Sequence, residues 1–584
     1  MASVKTIRHS IKSANVTVEK PQRWMPLLLK LLLLLAFIAF TNTSFVQRVS
    51  LLWDAGRPQT LVPFIAIWGM ALLALIIAAL QPNLWIRGFW AVVTALSAAT
   101  SWGYASASNS QLNVFEILSL WNARHEADRA AEFYQPHVLM AAAVLVTGIV
   151  IMMMPGTLKG AAAKWLTRLA WVPIFPIAII AGIVLMKSGG GSQGMPSQFS
   201  TIALGSLAGT KIAAQGAVTR GDVTWTPSTS AQRHNIVVLV DESVGADFID
   251  LVPGNPHTPN FAKHAGKFVN YGRAASGGNC SNYSNAILRM AASRKNLVDS
   301  INTSPTLWQY AKKAGYRTVF IDAQAGNISD PGLMQNFMTM KERESIDVFH
   351  AIRGVESYDA DGILADLVAR ELQSNEPTFI YADKNGAHFP YDDSYPKKAA
   401  HYHPTATEAG ADTDDSRMAS YRNAVAWSVD LFMDRLLTTA NFSNTLLVYT
   451  SDHAQSFDRK TLTHCIVENP DTFMAVVPLM VMTPDAADRA ALQQGAQRLA
   501  GRASHFQIAP SVLSWMGYTA ADIATRYDEN LYTATAHDSA FTSGDVFGLF
   551  SKSIFLWPVD LTKVQGPPTI KTIMPKTQLD GVAG

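Results

Sequence analysis

Carboxylate and imidazole side chains follow two short apolar segments of this sequence. Glu242 comes soon after a run that starts at Ile236, and Asp452 and His453 come directly after a run that starts at Thr445. Carboxylates and imidazole are ligands that a divalent metal ion, zinc in particular, binds while one coordination position stays open. Neighbouring strand residues point to opposite faces, so Asp452 and His453 reach one ion only where the strand has ended. The residues therefore predict a metal site at Asp452 and His453, completed by a carboxylate after the first run.

A nucleophile for such a site is predicted in the segment that leads into an apolar helix after Cys280. Ser276-Gly-Gly-Asn-Cys-Ser281 is a turn rich in Gly and Asn, and the residues after it are helix-like. A hydroxyl at a helix N-terminus beside a metal is activated twice, because the helix N–H groups stabilise an anion and the metal lowers the hydroxyl pKa. Ser281 fits this position. The alternative is that Ser281 or Ser284 only caps the helix.

The elements that would position these residues alternate between strands and helices. Strands are predicted at 236–240, 317–321, 378–382, 445–450 and 478–482, with helices at 307–314, 362–372 and 421–438. This alternation predicts an α/β domain around a largely parallel sheet. Ligands of such sheets bind at the carboxyl ends of the strands, which is where His388, Asp452 and His453 fall.

The first third of the chain differs in composition, because it contains long apolar runs. Of 584 residues, 48% are hydrophobic and only 16% are charged, which argues against a fully soluble enzyme. The net charge of +2 gives no global basic field, so no nucleic-acid partner is indicated. Five apolar runs predict about five membrane spans, at Trp24–Thr43, Leu61–Leu80, Leu84–Tyr104, Val138–Pro155 and Leu169–Lys187. Lys30 and Arg87 lie near run ends, where long basic side chains reach the interface.

Basic residues of the short loops predict the orientation of this bundle. Nine of them fall on one side of the predicted spans and four on the other, which places the N-terminus in the cytoplasm and the region after Lys187 outside it. The predicted organisation is a transmembrane domain at 1–187, a linker or interfacial segment at 188–232, an extracytoplasmic catalytic domain at 233–560 and a C-terminal tail at 561–584. Within the bundle, 105–137 is either an amphipathic interfacial helix or a plain connection.

Four motifs together resemble the alkaline-phosphatase-like superfamily, and within it the membrane-anchored phosphoethanolamine transferases and lipoteichoic acid synthases. Glu242-Ser-Val-Gly-Ala-Asp247 resembles the motif whose Glu binds zinc, and Ser451-Asp452-His453-Ala-Gln-Ser resembles the motif that supplies two more ligands. Gly386-Ala-His388-Phe-Pro is similar to an element near the substrate phosphate, and His464 matches a second substrate-side histidine in position.

The resemblance implies a mechanism and a location. One zinc ion, or two, would be held by Glu242, Asp452, His453 and the Ser281 oxygen, while His388 and His464 bind the substrate. The activity implied is transfer of phosphoethanolamine from phosphatidylethanolamine to a glycan or glycolipid acceptor through a covalent phospho-enzyme. The location implied is a bacterial inner membrane, with the catalytic domain in the periplasm.

Departures from the family pattern leave alternatives open. The transferases usually carry a Thr nucleophile, and Cys280 is an alternative to Ser281, although Asn282 and Ser284 do not fit the Cys-x-Pro-x-Arg motif of formylglycine sulfatases. Cys280 and Cys465 either form one disulfide across the site or remain two thiols. The competing functions are a glycerol-phosphate transferase of the lipoteichoic-acid-synthase type, a metal-dependent sulfatase or phosphodiesterase, and an inactive glycan-binding protein.

Overall fold

The computed structural model describes residues 25–562, except 109, 123–126, 128–130, 132–133, 157, 215–219, 229–233, 250, 252–255, 325–339, 411–412, 458–461, 468 and 551–553. Almost all of the predicted tail at 561–584 lies outside these residues. The chain forms two compact units, each assembled from several segments. Unit 1 comprises Met1–Trp102, Met140–Ile180 and Gly194–Ile202, and unit 2 comprises Gly103–Leu139, Ala181–Gln193 and Ala203–Gly584. The four-part linear organisation given above stays a prediction.

The first third of the chain is helical, with a helix at each of the five predicted spans. The helices are α1 (Met25–Thr41), α2 (Ser44–Asp54), α3 (Pro58–Ala79), α4 (Leu84–Ser108), α5 (Val114–Asn122), α6 (Gln135–Met153), α7 (Ala161–Arg168), α8 (Ile174–Met186) and α9 (Ser197–Ala214). Helix α5 lies in the segment for which an interfacial helix is one alternative, and α9 lies within the predicted linker.

Among the described residues, α3 and α6 are long and apolar enough to cross a membrane, and α1 with α2 form a third candidate that bends by 65°. The membrane-anchored character is therefore supported, whereas the number five is not confirmed. Helix α8 is strongly apolar but only 13 residues long. Helix α4 has 25 residues, but Arg87 and its many Ser, Thr and Tyr side chains interrupt the apolar run.

Lys30 takes a different position from the one expected at the interface. Its side chain is fully buried in unit 1, and Nζ donates to the carbonyl oxygens of Ala79 at 2.5 Å, Met152 at 2.7 Å and Met154 at 3.0 Å. These carbonyls end α3 and α6, where the helix itself supplies no donor and the dipole favours a cation. Lys30 therefore ties two helix ends together.

The central sheet of unit 2 has eight strands in the order β4-β3-β5-β1-β6-β7-β2-β8. The strands are β1 (Asn235–Asp241), β2 (Val269–Ala275), β3 (Arg317–Asp322), β4 (Val348–Ala351), β5 (Thr378–Asp383), β6 (Thr445–Ser451), β7 (Val476–Met482) and β8 (Ala503–Ser504), and β9 (Ala540–Ser543) pairs with β10 (Phe555–Pro558) in a separate sheet. Only β7 runs antiparallel to its neighbours β6 and β2. The predicted largely parallel α/β sheet is confirmed.

Helices cover both faces of this sheet. They are α10 (Pro259–Ala262), α11 (Ser281–Arg289), α12 (Leu297–Thr303), α13 (Leu307–Lys313), α14 (Met340–Arg343), α15 (Ser357–Glu371), α16 (Ala406–Ala409), α17 (Asp414–Val425), α18 (Phe432–Thr439), α19 (Ala486–Arg498), α20 (Ile508–Trp515) and α21 (Ala520–Arg526). Alternate residues of β1 enter two different apolar cores, with Ile236 and Val238 on one face and Val237 and Leu239 on the other. A strand buried on both faces explains the continuous apolar run in the sequence.

Parallel pairing brings the carboxyl ends of three strands to one edge. Asp241 of β1 lies opposite Ser451 of β6, and Val240 lies opposite Asp383 of β5. The loops that follow these strands begin with Glu242, Lys384 and Asp452. The topology thus collects the predicted metal ligands, which lie 210 positions apart in the sequence, at one sheet edge.

Candidate active site

Glu242, Asp452 and His453 form a buried cluster at this edge. One ligand atom of each lies within 4.8 Å of the others, and all three residues are fully buried. Ser243, in a left-handed conformation with φ of 65°, donates its N–H to Asp452 Oδ1 at 3.0 Å. The β6 strand ends at Ser451, so Asp452 and His453 lie in loop and both reach the cluster. The structure therefore brings together the three residues predicted as protein ligands.

Ser281 lies against this cluster as the first residue of α11. Its Oγ is 3.1 Å from Glu242 Oε2 and 3.0 Å from His453 Nε2. Ser284 has a different role, because its Oγ donates to the Gly278 carbonyl at 2.9 Å and accepts from the Gly278 N–H at 3.0 Å. Ser284 thus stabilises the turn before the helix, while Ser281 is directed at the predicted ligands.

The donor set of the cluster fits a divalent cation. Asp452 Oδ2 is buried and has no hydrogen-bond partner among the described residues, and no described Lys or Arg forms an ion pair with Glu242 or Asp452. Burial and the adjacent Asp452 carboxylate raise the pKa of Glu242 well above its ordinary value. His453 Nδ1 lies 2.8 Å from the Ala454 carbonyl, which assigns the proton to Nδ1 and leaves the Nε2 lone pair facing the cluster. A bound cation would balance the carboxylates and engage Asp452 Oδ2 and the His453 Nε2 lone pair that faces Ser281 Oγ.

His464, predicted as a substrate-side residue, borders the cluster, and His388 lies close enough to His464 to affect its pKa. The His464 ring stacks on His453 with centroids 4.6 Å apart, and its Nδ1 lies 2.9 Å from Thr463 Oγ1. Burial, followed by the proximity of His453 and His388, holds the pKa of His464 well below its ordinary value. The imidazole of His464 is consequently neutral at neutral pH, able both to donate and to accept a proton.

Comparison with known proteins extends this picture. Residues 234–518 match the Sulfatase family. These residues form a sulfatase-family domain. Among solved structures, the integral membrane protein lipooligosaccharide phosphoethanolamine transferase A from Neisseria meningitidis is 15% identical with a TM-score of 0.61, over 87% of this chain and 96% of that chain. The zinc complex of the C-terminal periplasmic domain of EcEptC from Escherichia coli is 15% identical with a TM-score of 0.45, over 59% of this chain and 97% of that chain. No curated protein matches the chain.

The Neisseria match shows that this chain shares the fold of a membrane-anchored transferase over most of its length. The sulfatase-family domain holds the candidate site, and the matched fold also includes an N-terminal membrane region. The Sulfatase-family match confirms the predicted sulfatase-like domain and agrees with the prediction of an enzyme.

The sulfatase-family domain contains one disulfide, between Cys280 and Cys465. Of the two alternatives for the cysteines, the structure therefore has the cross-link. It joins the residue before Ser281 to the residue after His464. Because the Cys280 sulfur is bonded, Ser281 alone of the two candidate nucleophiles has a free side chain.

Several charged residues of this domain support the site and were not found from the sequence. Lys384 donates to Asp241 Oδ2 at 2.6 Å and lies 3.8 Å from Asp361 Oδ2, and both pairs are buried. Asp361 accepts the N–H groups of Asn385 and Gly386, which holds the loop that leads to His388. Gly386 has φ of 56°, and a Cβ there would lie 2.5 Å from the Glu242 carbonyl oxygen. The sequence feature that could have indicated these buried charges is the Asp that ends each of β1, β3 and β5.

Two further buried groups complete the surroundings of α11. Arg289 Nη2 lies 2.5 Å from Asp383 Oδ2, with neither side chain exposed. His505 accepts the Gly277 N–H on Nδ1 at 3.0 Å, and its Nε2 lies 3.1 Å from Thr450 Oγ1. Burial lowers the pKa of His505 to about 4, so it acts as a neutral bridge between the turn before Ser281 and the end of β6.

Proposed function

We propose that this protein transfers phosphoethanolamine from phosphatidylethanolamine to a hydroxyl or phosphate of a glycan or glycolipid, with Ser281 as the covalent nucleophile. The observation that carries the proposal is the position of Ser281 Oγ, at the N-terminus of α11 and within 3.1 Å of Glu242 and His453. A serine hydroxyl needs activation to attack a phosphodiester. The buried carboxylates and the His453 Nε2 lone pair beside Ser281 Oγ support activation of the hydroxyl at this position.

Glu242, Asp452 and His453, together with the Ser281 oxygen, would hold zinc. When bound, the metal would lower the pKa of the Ser281 hydroxyl and stabilise the negative charge on the phosphate oxygens. The chain supplies the orientation: Ser243 holds Asp452, the Ala454 carbonyl holds His453, and the disulfide at Cys280 limits the movement of the Ser281 backbone.

In the first step, Ser281 Oγ forms a bond to phosphorus and the bond from phosphorus to the diacylglycerol oxygen breaks. The Ser281 proton ends on the diacylglycerol hydroxyl, so charge and atoms balance. In the second step an acceptor oxygen attacks phosphorus, Ser281 Oγ leaves and regains a proton from the acceptor. Ser281 is the first residue of α11, so the dipole of this helix would stabilise negative charge that develops there in both steps.

His464 and His388 are the proposed contacts for the transferred group. His464 is neutral for the reason given above, so it can donate to a phosphate oxygen or relay a proton without a change of net charge. Its stacking on His453, whose Nε2 lies 3.0 Å from Ser281 Oγ, supports a role for His464 near the nucleophile.

The membrane-anchored region fits a lipid donor. A site held near the bilayer meets its donor at high effective concentration, which replaces a search in three dimensions. We propose that the protein resides in a bacterial inner membrane, with its N-terminus in the cytoplasm and the sulfatase-family domain in the periplasm.

The test is intact-mass spectrometry of the full chain in detergent with zinc and phosphatidylethanolamine. A covalent phosphoethanolamine adds about 123 Da, and it should appear on wild type and be absent from Ser281→Ala. Ser284→Ala is the matched control, because it removes a hydroxyl one turn along the same helix and should retain the adduct.

Other outcomes separate the competing functions. An adduct of about 154 Da from phosphatidylglycerol would identify a glycerol-phosphate transferase with the same nucleophile. A zinc-loaded protein that forms no adduct with either lipid would instead be a hydrolase. A chain that neither binds zinc nor forms an adduct would contradict the enzymatic proposal as a whole.

A further inference from the structure

A second group of metal-binding side chains lies in the segment between α21 and β9. One ligand atom each of Asp528, Glu529 and His537 lies within 4.8 Å of the others. His537 Nε2 is 3.1 Å from Asp528 Oδ2. These residues are separate in sequence from Glu242, Asp452 and His453, and no step of the transfer reaction uses them.

Glu529 provides an independent indication that the group is incomplete. The residue is only 4% exposed, and its Oε2 accepts from Gln507 Nε2 and Thr535 Oγ1, each at 3.2 Å. Its other oxygen, Oε1, is buried and has no hydrogen-bond partner among the described residues. A buried carboxylate oxygen without a partner costs free energy, which a cation in contact with it would recover.

The ligand types select the class of cation. An imidazole nitrogen with two carboxylates suits zinc or a similar transition ion, whereas calcium and magnesium take oxygen ligands. Ligand bonds of about 2.0–2.2 Å place tetrahedral ligand atoms roughly 3.5 Å apart, close to the His537–Asp528 distance above. Lys295 Nζ lies 3.8 Å from the same Asp528 oxygen, but its side chain is 46% exposed and can turn into solvent. Asp528 and His537 are about one-third exposed, which leaves an entry path for the ion.

The geometry points to a structural zinc site formed by Asp528, Glu529 and His537. Its segment is connected to both ends of the nucleophile helix α11. At the C-terminal end, the Tyr527 hydroxyl donates to the Ala291 carbonyl at 2.5 Å. At the N-terminal end, β9 reaches the turn before Ser281, where the Thr542 N–H donates to the Gly277 carbonyl at 2.9 Å. An ion that joins residues 528 and 537 would therefore stabilise the frame around α11 without touching the substrate.

The test counts zinc per chain in the full-length protein after loading and removal of weakly held ions, by elemental mass spectrometry. The variants are His537→Ala and Glu529→Gln, each made in wild type and in Asp452→Asn. We expect each to lower zinc affinity at the second site by at least about 100-fold and to remove one equivalent in both backgrounds. In the Asp452→Asn background the proposed catalytic ion is absent, so the zinc count reports the second site alone. Loss of zinc from one site can therefore be distinguished from loss at the other.

His403→Ala is the matched control. His403 Nδ1 lies 2.7 Å from Glu408 Oε2, and among the described residues this histidine–carboxylate pair has no third metal-binding side chain, so loss of His403 should leave the zinc count unchanged. The melting temperature provides a second measurement. In chelator, wild type and His537→Ala should have the same melting temperature. Addition of zinc should raise the melting temperature of wild type more than that of His537→Ala. Equal zinc content in His537→Ala, Glu529→Gln and their parent chains would overturn the proposal.

Discussion

Two groups of fully buried charges lie side by side at the carboxyl edge of the sheet, and they differ in how their charge is balanced. In the lysine cluster, Asp241 and Asp361 share the Lys384 ammonium, which also donates to the Ser428 carbonyl at 2.5 Å. In the candidate metal cluster of Glu242, Asp452 and His453, the described residues offer no Lys or Arg partner. Asp241 and Glu242 are consecutive in sequence, so the contrast arises within one strand end.

The presence of a basic partner in one cluster and its absence, among the described residues, from the other indicate different roles for the two clusters. Burying a charge is expensive unless an opposite charge and hydrogen bonds accompany it. The chain provides both for Asp241 through Lys384, and the same lysine lies beside Asp361, which holds the loop that leads to His388. No described Lys or Arg pairs with Glu242 or Asp452. This arrangement suits a site that binds a cation from solution.

The sharpest test of the comparison is Asp452→Asn. We expect loss of the bound zinc and a fall in transfer rate of at least about 10³-fold, because a ligand and its charge are removed. In chelator, the same variant should be at least as stable as wild type, because one of two like charges has gone. Transfer assays and chemical unfolding in detergent measure the two effects, and a variant that unfolds readily in chelator would contradict the comparison.

Lys384→Met should produce the opposite pattern. Removal of the ammonium leaves Asp241 buried without its partner, for which we expect a loss of about 3–5 kcal/mol in the free energy of unfolding, with or without zinc. The Lys384→Met/Asp241→Asn double variant should recover part of this loss, since both charges are then absent. Unfolding curves that show the single and double variants to be equally unstable would mean that packing, not charge, dominates this cluster.

The lysine cluster also predicts how the stability of the folded protein depends on pH. Burial, partly offset by Lys384, raises the pKa of Asp361 to about 6 from its ordinary 3.8. The folded state then holds a proton that the unfolded state releases, so this contribution to stability is complete below pH 3.8 and is lost as the pH rises through about 6. Compared with Asp361→Asn, wild type should lose roughly 2–3 kcal/mol between pH 4 and pH 7. A difference between the two proteins that does not change over this range would contradict the raised pKa.

The smallest effect is expected at an exposed pair with the same charges. Arg435 lies 2.7 Å from Asp366, and their side chains are 49% and 58% exposed. Arg435→Met should cost less than about 1 kcal/mol, because solvent already screens the pair. This variant is the surface control for Lys384→Met, and a cost near that of Lys384→Met would show that burial is not what separates them.

The sequence was a good guide to elements whose signal is local. All five predicted strands are present, since a strand buried on both faces must be apolar throughout, and strand ends marked the positions of Glu242, Asp452 and His453. β2, β4 and β8 were not predicted: β2 alternates with polar residues at the solvent side, and β8 has only two residues. The Lys384 and Arg289 pairs could not be predicted, because each joins elements far apart in the sequence. Lys384 pairs with Asp241 of β1 and Asp361 of α15, and Arg289 of α11 pairs with Asp383 of β5.

In the membrane region, too, the sequence located the helices but not their long-range arrangement. Hydropathy located a helix at every predicted span, but the number of crossings depends on helix length and bending, as at the 65° break between α1 and α2. The role of Lys30 likewise depends on helix ends far away in the sequence. Long-range arrangement, rather than local preference, accounts for both differences.

The disulfide has a consequence for how the protein is made. Its two cysteines are 185 positions apart, so at synthesis rates of about 5–20 residues per second Cys280 waits roughly 10–40 s for Cys465 to emerge. The chain has no third cysteine, and a single intramolecular pairing exists. Biogenesis of this domain therefore needs an oxidant but no rearrangement of wrong bonds within the chain, and the waiting thiol can be captured only by another molecule.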